Sequence, residues 1–219
     1  MEIKDNRANN RMVLLLIAGI PVTMILGASW LWYFVVRGDL DLVGTLGTAN
    51  RGALVQPPRQ IDEVDVREPN GSEFDYGNLE PKWTMVIPGE AGRCDTVCEN
   101  TLYLTKQIHT AMGQEYNRLR RAYVSETAPD DTRLTVQELS DKRPAPALFA
   151  TFLAQEHRGL KPLVLDAGGM NALFAEYRND PARWYLVDPA GWIMMSYSTD
   201  NSYKDVIADL KFLLKNSGD

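Results

Sequence analysis

Apolar residues along this chain fall into three patterns. The first is one unbroken run, residues 12–36, which carries no charge over 25 positions. A bilayer core needs about 20 apolar residues of helix, so this run is long enough to span one. The second is a set of short runs at 83–87, 119–125, 162–166, 184–187 and 192–197. Bounded by turn residues, they suit buried strands. The third is a stripe at helical spacing, which occurs three times. Leu102, Thr105, Ile108, Met112 and Tyr116 form one. Leu148, Phe149, Phe152 and Leu153 form a second within 145–157. Tyr203, Val206, Ile207, Leu210, Leu213 and Leu214 form the last, within 203–215. Gly168-Gly169 breaks the strand at 162–166 and leads to a short helix at 170–177. Asp188-Pro189-Ala190-Gly191, between two apolar runs, is a β-hairpin turn. The predicted order is β-α-β-α-β-α-β-β-α, an α/β domain over residues 81–219.

The N-terminal part divides in three. Residues 1–11 are polar and contain Lys4, Arg7 and Arg11. Residues 12–36 form the predicted transmembrane helix, with Trp30, Trp32 and Tyr33 at its far end as an aromatic belt. Pro21 is tolerable inside a membrane helix. A cleaved signal peptide would have an apolar region of only about 7–15 residues, so a permanent anchor is the expectation. Arg37 and Arg51 are the basic residues just beyond the run. The charge bias therefore puts the N-terminus in the cytoplasm and the C-terminal domain outside, in the periplasm of a bacterial inner-membrane protein. Residues 37–80 read as a connector. The stretch around Asp39, with Gly44, Gly47 and Gly52, reads as loop. Residues 53–56 and 61–66 read as short strands of a possible hairpin, and 68–80 as turns. This connector serves as a tether or as a docking surface.

Composition narrows the chemistry. The formal net charge of −6 argues against a nucleic-acid partner. Two cysteines and two histidines leave no residue to spare for a zinc site, which is built on four nitrogen and sulfur ligands. Gly168-Gly169 lacks the context of a phosphate-binding loop. The cysteines, Cys94 and Cys98, follow the strand at 83–87 and a Pro-Gly-Glu-Ala-Gly loop, where a helix should begin. Asp95 or Thr96 is its expected cap. Residues i and i+4 of a helix share a face, so both sulfurs can serve one site. A helix N-terminus and the adjacent Arg93 favour thiolate. That is the form that attacks a disulfide or binds a soft metal. The alternative is a buried or inert structural pair.

Strand, loop and cysteine pair at a helix start form a thioredoxin-like arrangement. Residues 83–88, Cys94, Cys98, Thr101 and Leu102, with Trp-Tyr-Leu-Val-Asp-Pro-Ala-Gly at 184–191, resemble the Sco/SenC family. Its members are membrane-anchored thioredoxin-like proteins that help build the copper site of cytochrome c oxidase. The resemblance covers roughly residues 80–215. It implies a thioredoxin-like fold with Cys94 and Cys98 as catalytic or Cu(I)-binding residues. The implied partner is a cytochrome c oxidase subunit or another copper or thiol client. The residues of 128–132 are similar to a remnant of the family's Asp-Pro-x-x-Asp-Thr, or are a solvated loop. The chain departs from the pattern at one place: the family's copper-binding histidine lies eleven residues before the final glycine, and here that residue is Asp180.

His109, about 16 Å along the helix from Cys98, cannot share a metal with the sulfurs, and a surface position is expected for it. His157 is also expected at the surface. Only one of Met194 and Met195 can face the site, and core packing is the expectation for them. Pro181 lies near, about one residue off, the place of the cis-proline that thioredoxin-like reductases resemble one another in carrying beside their cysteines, or it forms a plain turn. Three functions remain open. They are a Sco-like assembly factor using Cu(I) binding or reduction of client thiols, a periplasmic thiol–disulfide oxidoreductase, and a non-catalytic scaffold of the oxidase with a structural cysteine pair.

Overall fold

Six consecutive residues with almost no access to solvent, Trp83–Pro88, form the middle strand of the structure, a computed structural model that describes residues 5–36 and 50–217. An apolar run of this kind can be satisfied only by cover on both faces. In chain order the elements are α1 (Asp5–Val36), β1 (Ala53–Gln60), β2 (Val66–Arg67), β3 (Trp83–Pro88), β4 (Arg93–Cys94), α2 (Thr96–Ala111), β5 (Leu119–Ser125), β6 (Arg133–Leu134), α3 (Phe149–Glu156), β7 (Leu160–Leu165), α4 (Ala167–Leu173), β8 (Trp184–Val187), β9 (Trp192–Tyr197) and α5 (Tyr203–Asn216). The chain divides into two units, Met1–Ala49 and Asn50–Asp219.

In the first unit, α1 runs as one helix through Pro21, and its stretch Arg11–Trp30 is long and apolar enough to cross a membrane. At ~1.5 Å per residue those 20 residues span about 30 Å, the thickness of a bilayer core. The loop expected around Asp39, Gly44 and Gly47 lies outside the described residues.

In the second unit, the sheet order is β1-β9-β8-β3-β5-β7-β2. β3, β5 and β7 are parallel, and β8, β9, β1 and β2 join antiparallel. Alternation along β3 sends Trp83, Met85 and Ile87 to one layer, with residues of α2, α3 and α5. Val86 goes to the other layer, with residues of α4 and of the segment 61–76. Apart from the two-residue strands β4 and β6, the order of strands and helices over residues 81–219 matches the pattern read from the sequence.

Several local expectations are corrected. The two short strands of the connector do not form a hairpin: β1 pairs with β9 and β2 with β7, at opposite edges of the sheet. β1 also continues through Pro57 and Pro58, which an edge position tolerates. Residues 61–63, expected in the second strand, form a 3-10 turn. Gly168-Gly169 does not end a strand but lies in the first turn of α4. Asp166 caps that helix, accepting a hydrogen bond from the Gly169 amide. Leu148 and Tyr203, assigned to buried stripes, are 63% and 55% exposed, and Tyr116 lies beyond α2 and is also exposed. Leu148 is the residue before α3 and Tyr203 is the first residue of α5, so both lie at helix ends rather than within the packed turns.

One buried charge ties the ends of the domain together. Asp209 lies on the inner face of α5 and is 5% exposed. Its carboxylate accepts from the Arg51 and Gly52 amides at 2.8 and 3.0 Å, and from the Tyr197 hydroxyl at 3.3 Å. The helix thereby holds the entry to β1. Replacing Asp209 with alanine leaves these donors unmet, and urea denaturation is expected to show a loss of about 2–3 kcal/mol. A change under about 0.5 kcal/mol would sink this account of the anchor.

Candidate functional site

Cys94 and Cys98 are joined in a disulfide, with Cα atoms 5.2 Å apart. The bond lies just beyond the C-terminal end of β3, at the start of α2. Cys94 is not itself helical; it belongs to β4 and precedes the cap Asp95. The loop between β3 and β4 needs its glycines. A Cβ on Gly89 would lie 2.0 Å from the Tyr123 hydroxyl, and Gly92 has φ +69°, a left-handed conformation that glycine adopts without strain.

The charges around the pair differ from the simple expectation. The Asp95 carboxylate accepts from the Val97 and Cys98 amides at 3.0 and 3.1 Å. It therefore occupies the donors of the helix N-terminus and places a negative charge beside the sulfurs. Arg93, expected to favour thiolate, is paired with Glu90 at 2.7 Å and lies 3.7 Å from Asp95.

The pair is also covered. Cys94 is 0% exposed and Cys98 6%. The segment between β5 and α3 crosses the site as a strap. β6 pairs in parallel with β4, and the Arg133 and Thr135 amides donate to the Gly92 and Cys94 carbonyls, each at 2.9 Å. Leu134, Val136 and Leu139 of the strap pack into the same cluster as both cysteines. The buried Glu99 carboxylate accepts from the Ser140 amide at 3.0 Å and the Ser140 hydroxyl at 2.5 Å. No apolar periodicity marks a strap of two-residue strands, so it leaves little trace in the sequence. Within it, Asp130 and Asp131 are exposed while Thr132 is buried and bonded to Thr127 at 3.0 Å.

Pro181 does reach the neighbourhood. It lines a groove of about 410 Å³ with Gly89, Glu90 and Ala91 of the loop before β4, and with Phe174 and Tyr177. Gln56–Pro57 is the cis peptide bond among the described residues, so Pro181 takes the plain-turn alternative. Burial pushes the Tyr177 phenol up to about 12, and the Glu90 and Asp95 carboxylates add to the shift.

The remaining candidates go elsewhere. The Asp180 carboxylate is held by the Ala182 amide at 3.2 Å and by Arg183 at 3.4 Å. Met195 is buried in the core and Met194 is 38% exposed. An irregularity between β8 and β9 explains why neighbours two apart diverge: Ile193 pairs with Val187 and Met195 with Leu186, so Met194 bulges out. His109 is partly buried, stacked on Tyr116 with ring centroids 3.9 Å apart. His157 is corrected from surface to core, at 4% exposed. It packs edge-on against Phe152 and contacts Arg121 at 3.0 Å. Among the described residues, no three His, Cys, Asp or Glu side chains converge to hold a metal ion. Two sulfurs alone are gathered, which fits dithiol chemistry and does not reproduce the three-ligand copper site that the resemblance implies.

Comparison with known proteins gives the same fold. The yeast Sco1 crystal structure with copper bound is 17% identical, with a TM-score of 0.51, covering 78% of this chain and 97% of that one. The crystal structure of yeast Sco1 is 16% identical, with a TM-score of 0.51, covering 79% and 99%. The solution structures of apo Sco1 from Thermus thermophilus are 18% identical, with a TM-score of 0.49, covering 76% and 99%. No curated protein matches the chain in sequence. A family model described as transmembrane-like, thioredoxin-like, C-terminal domain matches residues 83–170 and 130–217, together more than half of the chain. With a thioredoxin-like sheet, a cysteine pair at the head of α2 and this match, the chain belongs to the transmembrane-like, thioredoxin-like family.

Proposed function

We propose that this protein is a membrane-anchored thiol–disulfide exchange protein, in which Cys94 and Cys98 act on the thiols of a client. The observation that carries this reading is the disulfide at the start of α2, directly after the central strand. In the reduced state the pair would transfer two electrons and two protons to a client disulfide, closing the Cys94–Cys98 bond and leaving a client dithiol. A dithiol reductant must then reopen it. The finer reading is a Sco-like role in assembling the copper centre of cytochrome c oxidase, supported by the likeness to yeast Sco1, whose structure has copper bound. In that role the client thiols would be those of a copper-site subunit. Cu(I) carriage by the two thiolates is the second form of the same role. The soft sulfurs favour it, and a hard carboxylate at Asp180 does not.

The anchor would be residues 12–36, with residues 1–11 in the cytoplasm and the domain of residues 81–219 in the periplasm. The support is the apolar helix and the three basic residues ahead of it. An oxidising compartment suits the disulfide.

Two measurements test the exchange reading. Full-length protein in detergent, equilibrated in thiol–disulfide buffers, is expected to show a midpoint above about −300 mV, the range of labile and catalytic bonds. A lower midpoint assigns the pair to a structural role. Asp95→Asn keeps the cap but removes the charge beside the sulfurs, so it should favour thiolate and raise the midpoint. Competition for Cu(I) by the reduced protein, with Cys94→Ser and Cys98→Ser as controls, tests the second form. One-to-one binding lost in both variants supports it, and binding at the level of the variants removes it.

The strap gives a separate prediction. Glu99→Gln weakens a charge-assisted pair of bonds to Ser140, so the strap should open more often. Reduction by dithiothreitol is expected to quicken by about tenfold. The midpoint should hardly move, provided that the strap closes over both redox forms alike. An unchanged rate would falsify the idea that the strap limits access.

A further inference from the structure

The only two histidines of the chain line one cavity of about 230 Å³, which the thiol chemistry does not use. It lies toward the C-terminal end of α2, where His109 stands about 16 Å along the helix from Cys98. Arg121 of β5 forms part of its wall and is 5% exposed. Among the described residues this guanidinium has no carboxylate partner. Its Nη2 is 3.0 Å from His157 Nδ1, and its buried Nε has no hydrogen-bond partner. A buried charge without an ion pair is rare, because desolvation is costly and nothing offsets it.

The hydrogen bonds fix the histidine tautomers. A guanidinium only donates, so His157 Nδ1 accepts and the proton of the neutral ring is on Nε2. Burial, with the charges of Arg121 and Lys106, holds His157 down to about 3. The His109 Nε2 donates to the Tyr116 carbonyl at 2.9 Å, which leaves Nδ1 for another partner. Burial also lowers His109, and Arg121 adds to the effect. Lys106 and Arg158 add further positive charge to the lining. The one acid there, Glu156, is already engaged: Arg143 Nη1 donates to it at 2.8 Å and Lys106 lies 3.6 Å away. The lining therefore offers donors and positive charge, with its single carboxylate neutralised by Arg143 from outside and by Lys106 within.

We propose that this cavity binds a small oxyanion of the size of phosphate or sulfate, seated on the Arg121 guanidinium with His109 and Lys106 as further donors. Arginine presents planar, paired donors that match such an ion. The volume holds the ion with a few waters, each taking about 30 Å³. Bound charge favours protonation of His109, whose Nδ1 then becomes a donor. Arg121, Lys106 and Arg158 oppose that protonation and Glu156 favours it, so the ion tips a balance among these groups.

Having only two histidines makes the test direct. Tag-free full-length protein in detergent carries two imidazole Cε1–H resonances, followed by NMR as inorganic phosphate is added at constant ionic strength. The expected result is a saturable shift of both resonances and a higher titration midpoint for His109. Sulfate should act similarly. Arg121→Met should abolish the shift. Lys106→Ala, at the accessible rim, should weaken binding by about tenfold and keeps the test valid if the buried variant fails to fold. Resonances that do not move in millimolar phosphate overturn the proposal. So does an equal response to chloride, or a response unchanged in Lys106→Ala. The thiol chemistry plays no part in any of these outcomes.

Discussion

The burial of β3 on both faces is the constraint on which the rest of this structure depends. A strand with side chains on two sides and no solvent requires two apolar layers, and the chain supplies them. α2, α3 and α5 contribute to one layer, and α4 with the segment at 61–76 to the other. β3 then has to leave the sheet at Pro88, and its exit brings the next residues to the open C-terminal end of a parallel β3–β5–β7 core. That end is where α/β sheets put their working loops. The cysteines are there because β3 is central, and α2 starts there because it must return along the first layer.

Cover over the cysteines adds a second layer of control. Cys94 pairs through its backbone with the strap, so the strand that carries the sulfur also fastens its lid. A thiol attacking the bond has to displace that pairing or find the narrow opening at Cys98. In the proposed exchange reaction such a pair would react at a rate set by local opening, with an equilibrium set by the charges beside it. Different residues would then carry the two properties, Glu99 with Ser140 the first and Asp95 the second.

The sequence made the main frame legible because the frame is periodic. The five core strands, the helices between them and the cysteine pair at the head of α2 follow from apolar runs and turn residues. What escaped was non-periodic. β4 and β6 are two residues each, too short for any alternation to show. β1 continues through Pro57 and Pro58 because an edge strand does not need every amide, and that depends on which strand lies at the edge. Gly168-Gly169 looked like a break, yet Asp166 caps a helix through them. Asp209 was hidden within a stripe that otherwise reads as apolar. Its burial makes sense only when Arg51 and Gly52, far away in sequence, bring their amides to it.

The histidines show the same limit most sharply. Both histidines are expected at the surface: His109 on a helix that also carries Lys106 and Thr110, and His157 between Glu156 and Arg158. Local polarity is a fair guide to exposure only when the polar neighbours point to solvent. Here Arg121, on the central sheet, carries a polar group into the layer below, where it contacts His157 and shares one cavity with His109, Lys106, Glu156 and Arg158. A buried guanidinium needs polar surroundings wherever it lies. It therefore recruits the residues that a sequence reader assigns to the surface, and the resulting cavity depends on contacts between α2, β5 and the end of α3 that no local pattern encodes.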